Sequence, residues 1–200
     1  MEPSVKGSLF VEGVVAMRRH RDLARVSEDQ LAARLGPVAL ETLDQKIDIS
    51  RWYPIEAFCE MADMDWEIAG GRDPGYLRCM GAEAAARFFR SGIYQQLDYA
   101  KRVQSVESRS ALVRRAKLIT TVTNTLYNFL DINVHVEGDF LEIVFGNAAL
   151  FSEGLRYTTE GFMNEINRQQ GSSRCWTSER VDPDRVRFQM SLPERLHGDD

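Results

Sequence analysis

The stretch from Ile132 to Phe145 constrains the fold more than any other part of the chain. Apolar and polar residues alternate on both sides of Gly138-Asp139, and a two-residue loop with glycine first is a favoured hairpin connection. The register set by this loop places three apolar pairs on one side of the ribbon: Val136 with Leu141, Val134 with Ile143, and Ile132 with Phe145. A ribbon with one apolar side is marginally stable alone, so we expect a helix or further strands to cover it.

The segment after this hairpin predicts a helix and a second hairpin. Residues 148–170 carry apolar side chains at helical spacing, whereas residues 174–181 and 185–192 have the patterns of strands. Asp182-Pro183-Asp184 supplies the turn between the two strands. We therefore predict an α+β fold, in which a four-stranded antiparallel sheet carries the 148–170 helix on one face.

The first half of the chain predicts a helical lobe. Residues 5–15 fit either a short strand or a helix that begins near Gly7. The longest helix is expected over residues 105–130, with a short one possible over 93–103. Capping residues or prolines indicate four further helix starts: Ser27, Pro37, Pro54 and Asp73.

These elements predict a single domain over residues 1–200. Its helical lobe covers residues 1–104, and a long helix with a ββαββ lobe covers residues 105–192. Residues 193–200 are expected to be a frayed tail.

Composition excludes several functional classes. The chain is 44% hydrophobic, enough for one sizeable core, and its formal charge of -5 gives no argument for binding nucleic acid or membranes. No apolar run approaches the roughly 20 residues that span a bilayer, and the N-terminus lacks the order of a secretory signal, so we expect a cytoplasmic protein. Cys59, Cys79 and Cys175 lack metal-site spacing and are expected to be buried free thiols.

Several local motifs resemble a known superfamily. They are Val5-Lys6-Gly7-Ser8-Leu9-Phe10, Trp52-Tyr53-Pro54, the small-residue helix that ends in Phe88-Phe89, and the terminal hairpin, helix and hairpin. They resemble a paralogous family of uncharacterised bacterial proteins. That family is in turn similar to haem-NO-binding domains, four-vinyl-reductase domains and the small subunits of the TRAPP vesicle-tethering complex. The resemblance implies a mixed helical and antiparallel-sheet domain that holds an apolar ligand between its lobes or serves as an interaction module.

The chain departs from the haem-binding branch of this superfamily. Haem sensors of this type use a proximal histidine on a helix and a Tyr-x-Ser-x-Arg motif. Here Tyr94 is followed by two glutamines, and no histidine lies between His20 and His135. We therefore expect no cofactor, and in particular no haem bound through a histidine. The three spread cysteines do not resemble the clustered cysteines of some four-vinyl-reductase members.

Aromatic residues supply the candidate ligand site. An apolar pocket between the lobes is predicted from eight of them, although such residues more often belong to the core. They are Trp52, Tyr53, Phe88, Phe89, Tyr94, Tyr127, Phe129 and Phe162.

Two sets of charged residues carry weaker hypotheses. His135 lies across the hairpin from Glu142, which could be an acid/base pair or a surface ion pair, and His20 and His197 are expected to be more exposed still. The basic run fits either a solvated helix face or docking to an acidic partner or anionic ligand; it comprises Lys101, Arg102, Arg109, Arg114, Arg115 and Lys117.

Gly154 and Gly161 mark a close approach. They are seven residues apart, so on a helix they lie nearly one above the other, beside Thr158. A helix-interior glycine costs about 1 kcal/mol relative to alanine, so we expect the sheet, another helix, a partner subunit or a ligand to pass too close for a Cβ; the alternative is that they are unselected weak points. On the opposite side of this helix, Arg156, Glu160, Asn164 and Asn167 are expected to face solvent.

The sequence leads to three functional hypotheses. The first is a non-enzymatic sensory or interaction domain, a homodimer or bound to a protein partner, with a possible apolar ligand. The second is a dedicated small-molecule or tetrapyrrole-like binding protein. The third and weakest is an enzyme that uses His135 and Glu142.

Overall fold

A computed structural model describes residues 2–90 and 108–193, with the side chains of residues 88–90 outside this description. The helices are α1 (Gly7–Asp22), α2 (Glu28–Arg34), α3 (Pro37–Thr42), α4 (Ile55–Ile68), α5 (Pro74–Arg90), α6 (Arg109–Leu126) and α7 (Glu153–Gln169). The strands are β1 (Ser4–Lys6), β2 (Trp52–Pro54), β3 (Asp131–Glu137), β4 (Phe140–Gly146), β5 (Thr177–Asp182) and β6 (Arg185–Ser191). The predicted α+β fold is confirmed.

The N-terminal lobe begins with a two-stranded antiparallel pairing of β1 and β2. Of the two alternatives for the first residues, the helix from Gly7 is the one observed, preceded by a three-residue strand. A Cβ at Gly7 would overlap the carbonyl oxygen of Asp48, which explains the glycine. Pro54 ends β2 and caps α4, so the helix begins one residue later than predicted.

The capping signals position the helices well. Ser27 accepts a hydrogen bond from the backbone N–H of Gln30, and the Gln30 side chain accepts one from the backbone N–H of Ser27. Helix α6 is capped by Ser108 and ends at Leu126, four residues earlier than predicted, because Tyr127 pairs with Val5 of β1. The predicted helix over 93–103 lies outside the described residues.

The four-stranded sheet has the order β3-β4-β6-β5, antiparallel throughout. The hairpin register is confirmed at all three apolar pairs. Helix α7 begins at Glu153 instead of residue 148, because Ser152 caps it. Strand β5 begins at Thr177 instead of residue 174, because the Asn164 and Asn167 side chains of α7 hold the backbone of residues 174–176.

The core lies between the sheet and the helices. On the inner face of the sheet Phe145 packs against Phe151 and Phe188, with ring centroids 5.4 and 4.9 Å apart, and Phe151 in turn contacts Tyr127 at 5.6 Å. The edge strand β3 is covered less than expected, since Val136 remains 47% exposed. The apolar face is therefore covered mainly along β4 and β6.

Helix α7 is buried on its polar side as well, which corrects the expectation that this side faces solvent. Arg156, Glu160 and Asn167 are buried. Arg156 donates to the Ser178 carbonyl oxygen at 2.7 Å, and Asn167 donates to the Arg174 carbonyl oxygen at 3.1 Å. These hydrogen bonds attach the helix to β5 and the segment before it, so polarity alone did not indicate exposure.

Candidate functional site

Helices α5 and α7 cross with their backbones in contact. A Cβ at Gly81 would overlap the carbonyl oxygen of Thr158, and a Cβ at Gly161 would overlap that of Arg78. The small-residue stripe of α5, which contains Cys79 and Ala82, lies beside this crossing and not at its centre. The two glycines allow α5 and α7 to form a continuous wall between two hollows.

The first hollow, here called the cleft, lies between α1, α4, α5 and α7. It has a volume of about 100 Å³. Its middle is lined by apolar or small side chains: Leu9, Gly13, Ala16, Phe58, Ala62, Leu77, Met80, Ala84, Leu155 and Thr158. An engineered apolar cavity of about 150 Å³ binds benzene. The cleft is smaller but open to solvent, so it has the lining for a small apolar group and encloses part of it.

Charged residues stand at the two ends of the cleft. At one end Arg87 of α5 donates to the Glu12 carboxylate of α1 at 3.1 Å, and both side chains are more than 40% exposed. At the other end Asp65 of α4 contacts His20 at 2.8 Å and accepts a hydrogen bond from the Tyr76 hydroxyl at 2.9 Å. The cleft is thus apolar along its length and polar where it ends.

The second hollow, here called the groove, lies on the other side of the α5–α7 crossing and has a volume of about 350 Å³. Most of its lining residues are polar, including three arginines, and two are exposed cysteines, although the surface that they present to the groove is mostly apolar. The lining residues are Arg78, Cys79, Ala82, Gly161, Asn164, Glu165, Arg168, Ser172, Ser173, Arg174 and Cys175.

A buried ionic network holds the crossing together. Glu160 is 5% exposed and accepts hydrogen bonds from Arg78 Nε at 2.5 Å and from the backbone N–H of Ser178 at 3.1 Å. The Arg78 and Arg156 guanidinium groups also lie over the ring of Tyr157, at 4.9 and 4.1 Å from its centroid. One buried carboxylate therefore ties α5, α7 and β5 to each other.

None of the predicted aromatic residues that the structure describes with side chains lines the cleft. Tyr53 stacks on Phe10 with ring centroids 4.4 Å apart, and Trp52 is 40% exposed beneath the Lys6 ammonium. Tyr127 and Phe129 pack edge to face at 6.1 Å within the core.

The remaining aromatic candidates are distributed as follows. Phe162 is partly buried against the core, and its backbone N–H lies at the α5–α7 crossing. Tyr94 lies outside the described residues, as do the side chains of Phe88 and Phe89. Phe58, which the prediction omitted, is the aromatic residue in the lining. The prediction of these residues as ligand contacts stays a prediction.

Gly154, Thr158 and Gly161 differ in their surroundings. Gly161 lies against the α5 backbone of the same chain, and Thr158 lines the cleft. A Cβ at Gly154 would instead approach only the Asp63 carboxylate, at 3.1 Å, and that side chain can move aside. The close approach at Gly161 is therefore explained within one chain, and the predicted homodimer stays a prediction.

The polar face of the first hairpin does not bring His135 and Glu142 into contact as a pair. The two residues are register partners, but Glu142 accepts hydrogen bonds from Arg187 at 3.4 Å and Gln189 at 3.1 Å, both on β6. Among the described residues no hydrogen bond or ion pair joins His135 to Glu142. Since β6 supplies the partners of this carboxylate, the hairpin alone could not reveal them.

The expected exposure of His20 and the expected burial of Cys79 and Cys175 are both wrong. His20 is 2% exposed instead of being a surface residue, because Asp65 of α4 covers and binds it. Cys79 and Cys175 are exposed, whereas Cys59 is partly buried near the Leu150 carbonyl oxygen. Within residues 2–90 and 108–193 no group of histidine, cysteine or acidic side chains could hold a metal ion.

Two arginines of the basic run serve the fold, whereas Arg114 and Lys117 are exposed. Arg109 donates to the Gly138 carbonyl oxygen at 2.6 Å and to the Asp139 carboxylate at 3.2 Å, so it holds the hairpin loop against α6. Arg115 donates to the Gln170 carbonyl oxygen at 3.4 Å.

In the described part of the chain no helix has the length and hydropathy to cross a membrane.

The fold is similar to that of several solved H-NOX proteins. An H-NOX protein mutant from K. algicida, described as Fe(II) unliganded, has a TM-score of 0.62 at 15% identity, over 96% of this chain and 98% of that one. A T. Tengcongensis H-NOX mutant has a TM-score of 0.58 at 11% identity, over 96% and 99%. A structure from work on haem distortion in the H-NOX family has a TM-score of 0.56 at 11% identity, over 98% of each chain.

No family model matches the sequence, and no curated protein matches it either. At identities of 11% to 15% the likeness shows the fold alone, and that fold is the one seen in these H-NOX structures. The four-vinyl-reductase and TRAPP parts of the predicted resemblance have no counterpart among these structures.

The expectation that the chain takes no cofactor is contradicted by these neighbours, which are described as Fe(II) and haem proteins. The missing histidine and Tyr-x-Ser-x-Arg motif were therefore insufficient grounds for it. The described lining of the cleft does not itself fit a haem, since about 100 Å³ is below the range of about 300 to 1,000 Å³ for ligand pockets. That lining contains one side chain of a type that ligates haem iron, the thioether of Met80.

Proposed function

We propose that the chain is a non-enzymatic sensory domain that binds an apolar small molecule in the cleft between α1, α4, α5 and α7. The observation that carries the proposal is the lining, which is apolar along the middle and charged at the ends. An apolar group that enters such a cleft leaves water, and the transfer is favourable by about 25 cal/mol per Å² of buried apolar surface. The fold supports the same proposal, because its solved examples are H-NOX proteins.

Toluene is a suitable probe, because its size is near that of benzene. We expect calorimetry to detect its binding to the wild type. Ala84→Trp should abolish the binding, since Ala84 lies in the lining and an indole there fills the space. Ala82→Trp is the matched control, because it makes the same change on the same helix but on the groove side. If toluene does not bind, or if both variants bind it as the wild type does, the proposal is wrong.

Haem is the second candidate ligand, because the H-NOX neighbours are described as Fe(II) and haem proteins. An absorbance titration with haemin on the same three proteins tests it. A Soret shift that Ala84→Trp abolishes and Ala82→Trp preserves would assign haem to the cleft region. A Soret shift that both variants preserve would assign it elsewhere.

A further inference from the structure

One end of the cleft is a cluster of buried hydrogen-bonding groups. His20 is 2% exposed and its Nε2 lies 2.8 Å from Asp65 Oδ1, while Asp65 Oδ2 accepts a hydrogen bond from the Tyr76 hydroxyl. The Asp65 side chain is 13% exposed and belongs to the lining of the cleft. A ligand in the cleft can therefore reach this carboxylate.

The hydrogen atoms of the cluster are all directed at Asp65. An ionised carboxylate only accepts, so His20 donates from Nε2 to Asp65. His20 Nδ1 is buried and has no hydrogen-bond partner among the described residues. Burial, together with the Asp65 carboxylate, raises the pKa of Tyr76, which keeps its hydroxyl protonated and donating. The free positions on the Asp65 carboxylate are thus lone pairs.

The His20 ring continues the α1 face that lines the cleft. Gly13 and Ala16 line it, and His20 follows at a spacing of four, on the same side of the helix. Glu12, at the other end, is roughly 12 Å from His20 along α1, from a rise of about 1.5 Å per residue. Asp65, with His20 bound to it, therefore forms one polar end of an otherwise apolar cleft.

We infer that this end recognises a hydrogen-bond-donating head group on the ligand, a hydroxyl or a protonated amine, and rejects a carboxylate. The inference rests on the proposed function and adds the chemical class of the ligand. A donor satisfies the unused lone pairs of Asp65, whereas an anionic head would lie against a carboxylate of the same sign.

The opposite end of the cleft lacks this selectivity. Glu12 and Arg87 are 48% and 41% exposed and neutralise each other, and an exposed ion pair of this kind discriminates weakly between ligands. Glu12 therefore provides an acidic control residue on the same cleft.

Four benzene derivatives of similar shape test the inference: toluene, benzyl alcohol, benzylamine and benzoate. We expect the wild type to bind benzyl alcohol and benzylamine at least about tenfold more tightly than toluene, a factor that one hydrogen bond supplies. Benzoate should bind more weakly than toluene. Calorimetry on the wild-type protein gives all four affinities without any substitution.

Substitutions then locate the preference. Asp65→Asn should reduce the benzylamine preference at least about threefold while toluene affinity stays unchanged, because the charge is removed and the shape is kept. Glu12→Gln should leave the preference as it is. Tyr76→Phe should preserve or increase it, since it frees a lone pair of Asp65. A purely structural role of Asp65 would instead weaken toluene and benzylamine equally.

Equal affinity for all four compounds, or a preference that Glu12→Gln removes and Asp65→Asn does not, would overturn the inference. In both cases toluene binding that Ala84→Trp abolishes would leave the proposed function standing. The proposed function itself is wrong if toluene does not bind, or if Ala84→Trp leaves toluene binding unchanged.

Discussion

The cleft and the groove share the α5–α7 crossing but differ in chemistry. The cleft side of the crossing presents Leu77, Met80 and Ala84, whereas the groove side presents Cys79 and Ala82 beside arginines. In the groove the Arg168 side chain is 73% exposed, so its ion pair with Glu165 is solvated. In the cleft the carboxylate of Asp65 is mostly covered.

This difference shows how one helix crossing can separate two kinds of solvent environment. The charged side chains of the groove offer hydrogen-bond partners to water, whereas the apolar middle of the cleft offers few. An apolar ligand therefore gains more in the cleft. This contrast depends on three features: the backbone contact of α5 and α7, the exposure of the thiols in the groove, and the ionic network around Glu160.

The largest expected effect is loss of the crossing. Gly161→Ala should lower the free energy of unfolding by about 1 to 3 kcal/mol and Gly161→Leu by more, since any Cβ overlaps the Arg78 carbonyl oxygen. Gly154→Ala is the matched control on the same helix and should change stability by less than about 1 kcal/mol. Urea melts measure all three. Equal effects at Gly154 and Gly161 would show that the backbones of α5 and α7 do not touch.

The second prediction compares thiol accessibility. Cys79 and Cys175 are exposed in the groove, whereas burial raises the pKa of the Cys59 thiol from 9.0 to about 11. Such a rise lowers the thiolate fraction at neutral pH about a hundredfold, and the thiolate is the reactive form.

Ellman's reagent should therefore react rapidly with two thiols of the native protein and slowly with the third. The Cys79→Ser and Cys175→Ser variants should each lose one fast equivalent, while Cys59→Ser should lose the slow one. Three thiols that react at one rate would contradict the assignment of Cys79 and Cys175 to an open groove.

The third prediction concerns the ionic network behind the crossing. Glu160→Gln should destabilise the fold by about 1 to 3 kcal/mol, because a buried carboxylate is replaced by a neutral amide and the donors of Arg78 and Ser178 lose a charged acceptor. Glu165→Gln, on the same helix, should cost less than about 1 kcal/mol: Glu165 is also buried, but its partner Arg168 is 73% exposed and stays solvated without it. Thermal melts of the two variants decide. A larger loss for Glu165→Gln would reverse the contrast between the buried and the solvated side.

The smallest expected effect is on acid stability. Burial of Glu153 opposes its ionisation, but hydrogen bonds from Arg156 and Arg180 outweigh this and lower its pKa below the usual 4.5. A lowered pKa means that the stabilisation is present above about pH 4.5 and is lost as the pH falls through the folded-state value. Glu153→Gln should therefore be less stable than the wild type near neutral pH, with a smaller difference in acid. Urea melts across this range that show a constant difference would contradict the assignment.

The first hairpin of the sheet could be predicted from the sequence, because the residues that determine its register lie close together in the chain. Strict alternation in β3 and the Gly138-Asp139 loop together determine the register of the first hairpin, and no distant residue is needed. Ser27 and Gln30 likewise specify a helix start within four residues.

The cleft could not be predicted in this way, because its residues come from four helices. Gly154 and Gly161 look equivalent in the sequence, and only the position of α5 distinguishes them. His20 stands among arginines, which suggested exposure, but Asp65 lies 45 positions away in the chain and covers it. One usable signal was present: Leu77, Met80 and Ala84 form an apolar stripe on α5, and all three line the cleft.

The central claim is that an apolar ligand occupies the cleft and not the groove. Intermolecular nuclear Overhauser effects between benzyl alcohol and methyl-labelled protein test it directly, because they report contacts within about 5 Å, the scale of adjacent packed groups. The account predicts contacts to the methyl groups of Leu9, Met80 and Leu155, which line the cleft. Contacts to the Ala82 methyl group in the groove, with none to those three residues, would contradict it.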